Sequence, residues 1–309
     1  MNTGALDIGG SSVKYGLVAV RDEQAKLISE FEPVLLPDNE FESLRNIVQH
    51  VAGTLHRDHD VTCIGISTTG SVDREEMVVS AGHFRGYTNV SWERLLRLSL
   101  PGLQRVATTN DGRAAAWAEF SIAGDRSRSL VHAVVGTGVG GGIVYEGRLL
   151  LGDSGQSGYI GHIKVSEDSP VACSCGNRGC VEAFASARGI AATYQEESGG
   201  EGSGDFESAV EAAIAGSDIA LRAFQQAAWW LGRGLGNAMN VVNPALVTVG
   251  GGVALAATEA LGRHGIDYLD AVREGMQSAA HRRVFATAEL RAAHFGNDGG
   301  LLGAALLAN

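Results

Sequence analysis

The sequence predicts an α/β protein, on three observations. Short apolar runs at strand spacing alternate with longer stretches at helical spacing, the pattern of sheets covered by helices. A strand–glycine turn–strand unit opens the chain and a second begins at Val131, so the chain reads as two related halves. Its 309 residues, 45% of them hydrophobic, amount to about two domains at ~150 residues each and are ample for a buried core.

The elements follow in order. Ala5, Leu6 and Ile8 make a first strand, Gly9-Gly10-Ser11-Ser12 a turn, and 13–20 a second strand. Phe41, Leu44, Ile47, Val48 and Val51 recur at helical spacing over 41–55, followed by a buried strand at 61–66 and a turn at Thr69-Gly70-Ser71. A short strand at 105–108 leads into a helix at 112–120. The second hairpin turns through Gly136-Thr137-Gly138-Val139-Gly140-Gly141-Gly142 and again at Glu146-Gly147. Beyond it come a helix over 181–197, a flexible surface loop at 198–204, and long helices at 206–215 and 218–240. A buried strand at 246–249 runs into Gly250-Gly251-Gly252, and a last helix covers 299–307.

Composition bounds the partners. With 24 Lys+Arg against 35 Asp+Glu the net charge is −11, which opposes a broad nucleic-acid or anionic-membrane surface and leaves room only for a local phosphate pocket. The opening MNTGALDIGG lacks the basic and apolar regions of a signal peptide, and no apolar run approaches the ~18 residues of a membrane span, so a cytoplasmic location is expected. The 43 glycines, roughly twice average usage, gather in short runs between strands, as in turns where backbone approaches a ligand.

The sharpest chemical signal is His162 followed by Cys173, Cys175 and Cys180. One imidazole and three thiolates at this spacing make a tetrahedral Zn²⁺ site with no open position, hence structural and not Lewis-acidic. Cys63, in an apolar strand, reads as an ordinary reduced cysteine. Asp7 stands at a strand end before Ser11 and Ser12, either as a solvent-facing hairpin residue or as a carboxylate holding Mg²⁺ beside a phosphate turn. The 136–142 turn is too glycine-rich for a plain hairpin, and close approach to a ligand explains it better; a strand follows it, which excludes a dinucleotide fingerprint. Gly250-Gly251-Gly252 precedes a helix, as a tight turn or a nucleotide contact. Asp111 reads as a helix cap or as a general base at a sheet edge. The HRDHD segment at 56–60 reads as a solvated connection, and Trp229-Trp230 as core.

Taken in order, DIGGSSVK, ISTTGSVD, NDGRAAAWAE, GTGVGGGIVYEGRLLLG, GYIGH, CSCGNRGCVEAFAS and AAHFGNDGGLLGAALLA resemble the ROK family of sugar kinases and sugar-responsive repressors, nearly end to end. The resemblance implies an actin/hexokinase-type (ribonuclease H-like) duplicated fold, with ATP and sugar meeting between two α/β domains. It suggests an N-terminal domain at 1–108, a C-terminal domain at 109–296 carrying the zinc loop, and 297–309 as a candidate to pack on the first. By position it gives Asp7, Gly9, Gly10, Ser11, Ser12 and Lys14 to one phosphate region. Gly136, Thr137, Gly138, Gly140 and Gly141 form the other, and Gly250, Gly251 and Gly252 approach the nucleoside. Gly70, Ser71, Asn110, Tyr159, His162 and Glu182 are expected at the sugar, with Asp111 as base and His162 also on zinc. The implied activity is ATP- and Mg²⁺-dependent phosphorylation of an N-acyl hexosamine such as N-acetylmannosamine at its 6-hydroxyl, by a homodimer. One departure stands out: Tyr159 replaces the glutamate usual before Gly161-His162, which opens the choice of sugar and makes His83 an alternative contact. The competing expectations are a glucokinase or other hexokinase, a sugar-sensing transcriptional regulator, and a catalytically weakened sugar-binding protein.

Overall fold

Alternating apolar residues of the first hairpin form β1 (Asn2–Ile8) and β2 (Ser12–Arg21), antiparallel in the computed structural model, which describes residues 2–123, 128–200 and 204–309. The chain continues through β3 (Gln24–Glu30), β4 (Val34–Leu35), α1 (Phe41–His59), β5 (Cys63–Thr68), β6 (Ser71–Val72), β7 (Val78–Ser80), β8 (Thr88–Val90), α2 (Trp92–Ser99), β9 (Arg105–Asn110) and α3 (Asp111–Ser121). One sheet runs β3-β2-β1-β5-β9, with β4 on β2. β1, β5 and β9 are parallel, and their shared core includes Leu6, Ile8, Ile64, Ile66 and Val106 with Val48 and Val51 of α1. β6, β7 and β8 make a small separate sheet.

The second half contains β10 (Leu130–Val135), β11 (Val139–Tyr145), β12 (Arg148–Leu149), α4 (Val181–Ala185), α5 (Ala187–Glu197), α6 (Phe206–Ile214) and α7 (Asp218–Val242). After these come β13 (Leu246–Gly250), α8 (Gly252–Gly262), α9 (Tyr268–Ala279), α10 (Arg282–Phe285), β14 (Glu289–Ala292) and α11 (Gly299–Ala308). Its sheet runs β12-β11-β10-β13-β14. The helix expected over 181–197 is two helices, because the Ser186 side chain accepts from the Gly189 N–H and restarts the chain as the cap of α5. Part of the 198–204 loop, residues 201–203, lies outside the described residues. Trp229 and Trp230 are only half-buried on α7, where Trp230 stacks on Phe184.

The chain divides into two units: Met1–Gly124 with Leu149–Gly158 and Asp298–Asn309, and Asp125–Arg148 with Tyr159–Asn297. The boundary expected at residue 108 therefore falls after α3. The reason is α11, apolar on every side and buried along most of its length. Gly303 lies so close to Ala114 of α3, and Ala304 to Gly65 of β5, that a β-carbon on either glycine would overlap backbone. This close packing binds α3, β5 and α11 into one unit.

Candidate functional site

In the first unit the strand ends deliver carboxylates. Asp7 accepts from the Ser67 hydroxyl at 2.7 Å and pairs in register with Lys14. Burial raises its pKa, against the Ser67 bond and the Lys14 charge, and Asp298 adds to the rise. Gly300 of α11 approaches so closely that a β-carbon there would stand 2.9 Å from Asp7 Oδ1. The 9–12 turn closes through the Gly9 N–H on Ser12 O, bringing Gly10, Ser11 and Ser12 to the mouth of the hairpin, with His83 beside Gly10.

The cap reading of Asp111 is overturned, because the residue before it does the capping. Asn110 Oδ1 accepts from the Arg113 N–H at 3.3 Å, so Asn110 is the cap of α3. Its Nδ2 donates to Gly70 O at 2.9 Å and to Asp111 Oδ1 at 2.7 Å. Gly70 has φ +94, and a β-carbon would stand 2.4 Å from Ser80 O, so only glycine fits there. Ser71 follows it as the first residue of β6. The buried Arg113 guanidinium ties this corner together by donating to Val72 O and Gly155 O at 2.6 and 3.0 Å. Asp111 is solvent-exposed, its Oδ1 accepting from Asn110 Nδ2 and the Gly112 N–H, with protein packed around it that partly desolvates the carboxyl. That desolvation, with the Asp7 charge next to it, raises its pKa to about 6, against bonds from Gly112 and Asn110. An accessible carboxyl with that pKa is suited to accept a proton near neutral pH.

In the second unit, donor atoms of His162, Cys173, Cys175 and Cys180 all lie within 4.8 Å of one another. His162 Nδ1 is 3.3 Å from Cys173 Sγ, and Cys175 and Cys180 sulfurs are 3.8 Å apart. A tetrahedron with zinc–sulfur bonds of ~2.3 Å has sulfur–sulfur edges of about 3.8 Å, so the four residues fit such an ion. Burial raises the Cys173 and Cys180 thiols, so a cation is what would keep them as thiolates. With Nδ1 on the metal, His162 Nε2 remains for a second partner. The Tyr159 ring lies 5.6 Å from the imidazole, and the residue is 44% exposed.

The glycines expected in one long turn are split by the structure, Gly136 and Gly138 in a tight turn and Gly140 and Gly141 already on β11, and they do two jobs. A β-carbon at Gly136 or Gly140 would meet nothing within 4 Å, whereas at Gly138 it would stand 2.6 Å from Glu182 Oε2 and at Gly141 2.5 Å from His132 O. Gly136 and Gly140 thus keep a surface open, and Gly138 and Gly141 admit protein neighbours. Similarly, Gly252 is open while Gly250 abuts Ala293 and Gly251, at φ +97, abuts Val135 backbone. Gly136, Thr137 and Gly252 line one cavity of about 720 Å³, walled by Ala187, Ala191 and Phe206. Sequence reasoning found its floor and missed its α5–α6 wall, whose signal was the small-residue stripe at 187, 191 and 192. Glu182 is buried, with Oε2 accepting from the Val139 N–H and Oε1 from Ser174. Burial alone would raise its pKa, but these donors and the nearby His162 lower it.

The candidate residues thus fall into two sets. Asp7, the 9–14 segment, Gly70, Ser71, Asn110 and Asp111 belong to the first unit. The 136–141 turn, Tyr159, His162, Glu182, the three cysteines and 250–252 belong to the second.

The ROK family model matches residues 3–309. The chain belongs to the ROK family. This ROK chain is 36% identical over 314 residues to an N-acetylmannosamine kinase of Citrobacter koseri, spanning 100% of the chain and 99% of that relative. A ROK hexokinase from Thermus thermophilus is 31% identical with a TM-score of 0.79, covering 100% of the chain and 98% of that structure. A ROK family glucokinase from Streptomyces griseus, solved with glucose and AMPPNP, is 28% identical with a TM-score of 0.79, covering 100% and 99%. The fold is of the actin/hexokinase type.

Proposed function

We propose that this ROK protein is an ATP-dependent sugar kinase acting on an N-acyl hexosamine, with N-acetylmannosamine phosphorylated at its 6-hydroxyl as the leading case. The observation that carries the reading is Asp111, an accessible carboxyl at about 6, with Asn110 joining it to the Gly70 turn. Asp111 takes the proton from the attacking hydroxyl, and the rest of catalysis is positioning and charge stabilisation. The 720 Å³ cavity supports a nucleoside above Gly252, and open backbone at Gly136 and Gly140 supports phosphates nearby. Asp7 is the residue to hold Mg²⁺, which would neutralise phosphate charge.

Structural Zn²⁺ at His162, Cys173, Cys175 and Cys180 belongs to the same proposal, leaving His162 Nε2 for a sugar hydroxyl. The exposed Tyr159 ring suits an acetamido methyl better than a ring hydroxyl, which supports the N-acyl choice together with the 36% identical N-acetylmannosamine kinase. A cytoplasmic homodimer completes the reading. Among the described residues no helix is long and apolar enough to cross a membrane.

The test is ADP formed from ATP with N-acetylmannosamine, N-acetylglucosamine, mannose and glucose. The highest kcat/KM is expected for N-acetylmannosamine, with Tyr159→Glu moving preference toward an unmodified hexose. A clear preference for glucose overturns the N-acyl assignment in favour of a glucokinase, the reading that the 28% identical glucokinase structure supports. ADP formation with none of the four sugars overturns the kinase reading for these substrates.

A further inference from the structure

We propose that Glu182 is a brace that carries the order of the cysteine hairpin to the glycine-rich turn, so that nucleotide affinity depends on the hairpin even when no sugar is bound. This rests on the reading of that turn as the phosphate site.

Glu182 is the second residue of α4, two positions beyond Cys180, and its side chain is 7% exposed. Its two oxygens face two different structures. Oε1 accepts from both the N–H and the hydroxyl of Ser174, at 3.3 and 2.5 Å, and Ser174 stands between Cys173 and Cys175. Oε2 accepts from the Val139 N–H at 3.1 Å, where the turn becomes β11. Cys173 Sγ also lies 3.4 Å from Oε1. The Ser174 N–H, Ser174 hydroxyl and Val139 N–H are all donors, so the group required is a carboxylate, an acceptor on both oxygens.

The turn is shaped to receive that oxygen. Gly138 lacks the β-carbon that would stand 2.6 Å from Oε2, so the glycine here admits Glu182 and not a ligand. The Val139 carbonyl on the other side of the same residue lies against Gly161, too close for any side chain there. Val139 is therefore held at its N–H by Glu182, two residues past Cys180, and packed at its carbonyl against the residue before His162. Gly136, Thr137 and Gly140, the ligand-facing positions, lie within three residues of this clamp. A shift of the hairpin moves the Glu182 carboxylate, and the turn moves with it.

The experiment is calorimetric titration of the metal-loaded protein with AMPPNP and Mg²⁺, without sugar, for wild type, Glu182→Gln and Ser174→Ala. Glu182→Gln turns an amide NH₂ toward at least one donor, and the AMPPNP Kd is expected to rise about tenfold, the scale of one charge-assisted hydrogen bond. Ser174→Ala leaves the carboxylate and its bond from the residue 174 N–H in place but removes the hydroxyl from Oε1, with an expected rise of about two- to threefold. Zinc content and melting temperature of Ser174→Ala are expected at wild-type values. An unchanged AMPPNP Kd in Glu182→Gln, with only sugar affinity lost, overturns the brace and leaves Glu182 a sugar contact alone. If Glu182→Gln does not fold, Ser174→Ala decides: an unchanged AMPPNP Kd overturns the proposal. Failure of the wild type to bind AMPPNP overturns the nucleotide reading beneath it, and the brace with it.

Discussion

The two sheets have one topology and different chemistry. The order β3-β2-β1-β5-β9 is repeated by β12-β11-β10-β13-β14, with an antiparallel hairpin and two parallel strands at the same places in each. One pair short of the hairpin turn, the first sheet sets Asp7 across from Lys14, while the second sets Val134 across from Gly140. The last parallel strand of the first sheet ends in Asn110 followed by Asp111, and its counterpart β14 ends in Ala292. The first unit therefore offers charged side chains at its strand ends, and the second offers open backbone braced from behind by Glu182. Topology fixes where a turn emerges; the few residues at strand ends decide whether that turn moves protons or cradles anions.

That contrast can be broken at its sharpest point by Asp111→Asn, expected to lower kcat by ~10²–10⁴-fold with no loss of melting temperature at neutral pH, since Asn110 and not Asp111 caps α3. The wild-type kcat/KM should fall as pH drops through about 6, where Asp111 protonates, and the variant should lack that limb. Stability runs the other way. With its folded pKa raised from 3.8 to about 6, the Asp111 contribution is fully present below pH 3.8 and is lost as pH rises through about 6, which pH-dependent denaturation of wild type against the variant measures.

On the other side, Cys175→Ser should weaken zinc binding by ~10–100-fold or more, read by metal analysis after dialysis against a weak chelator. Next in size, the paired changes Gly138→Ala and Gly140→Ala separate the two kinds of turn glycine. The first should destabilise by ~1–3 kcal/mol through overlap with Glu182, and the second should leave stability nearly unchanged and raise the KM for ATP. Equal effects in urea unfolding would erase the distinction. The smallest shift expected is in the pH profile: in the activity left after Asp7→Asn removes the residue proposed to hold Mg²⁺, loss of a charge that helps raise Asp111 should move the acid limb of kcat/KM below about 6.

Long periodic segments were legible in the sequence, and short ones were not. Helical spacing marked α1 and α7, and the glycine turns marked both hairpins, because each pattern repeats over enough residues to outweigh local noise. The small sheet of β6, β7 and β8 has strands of two or three residues, too short for any alternation, and β3 is largely exposed and so lacks an apolar face. At the site, the cysteine spacing brought four donors together as expected. The division of labour between Asn110 and Asp111 was invisible, since either residue type caps a helix and only the backbone path separates them. Nothing in the sequence singles out Arg113, because its burial against the Val72 and Gly155 carbonyls depends on segments distant in sequence.

The position of α11 has a consequence for how the chain is made. Its residues cover β1 and β5 and reach Asp7, yet a ribosome delivers them only after the whole second unit has been synthesised. Through that interval the nascent first sheet waits with an uncovered apolar face, open to misassembly. Its folding is set by a contact of very high sequence separation. Asp7, seventh in the sequence, is thus among the last to acquire its native surroundings.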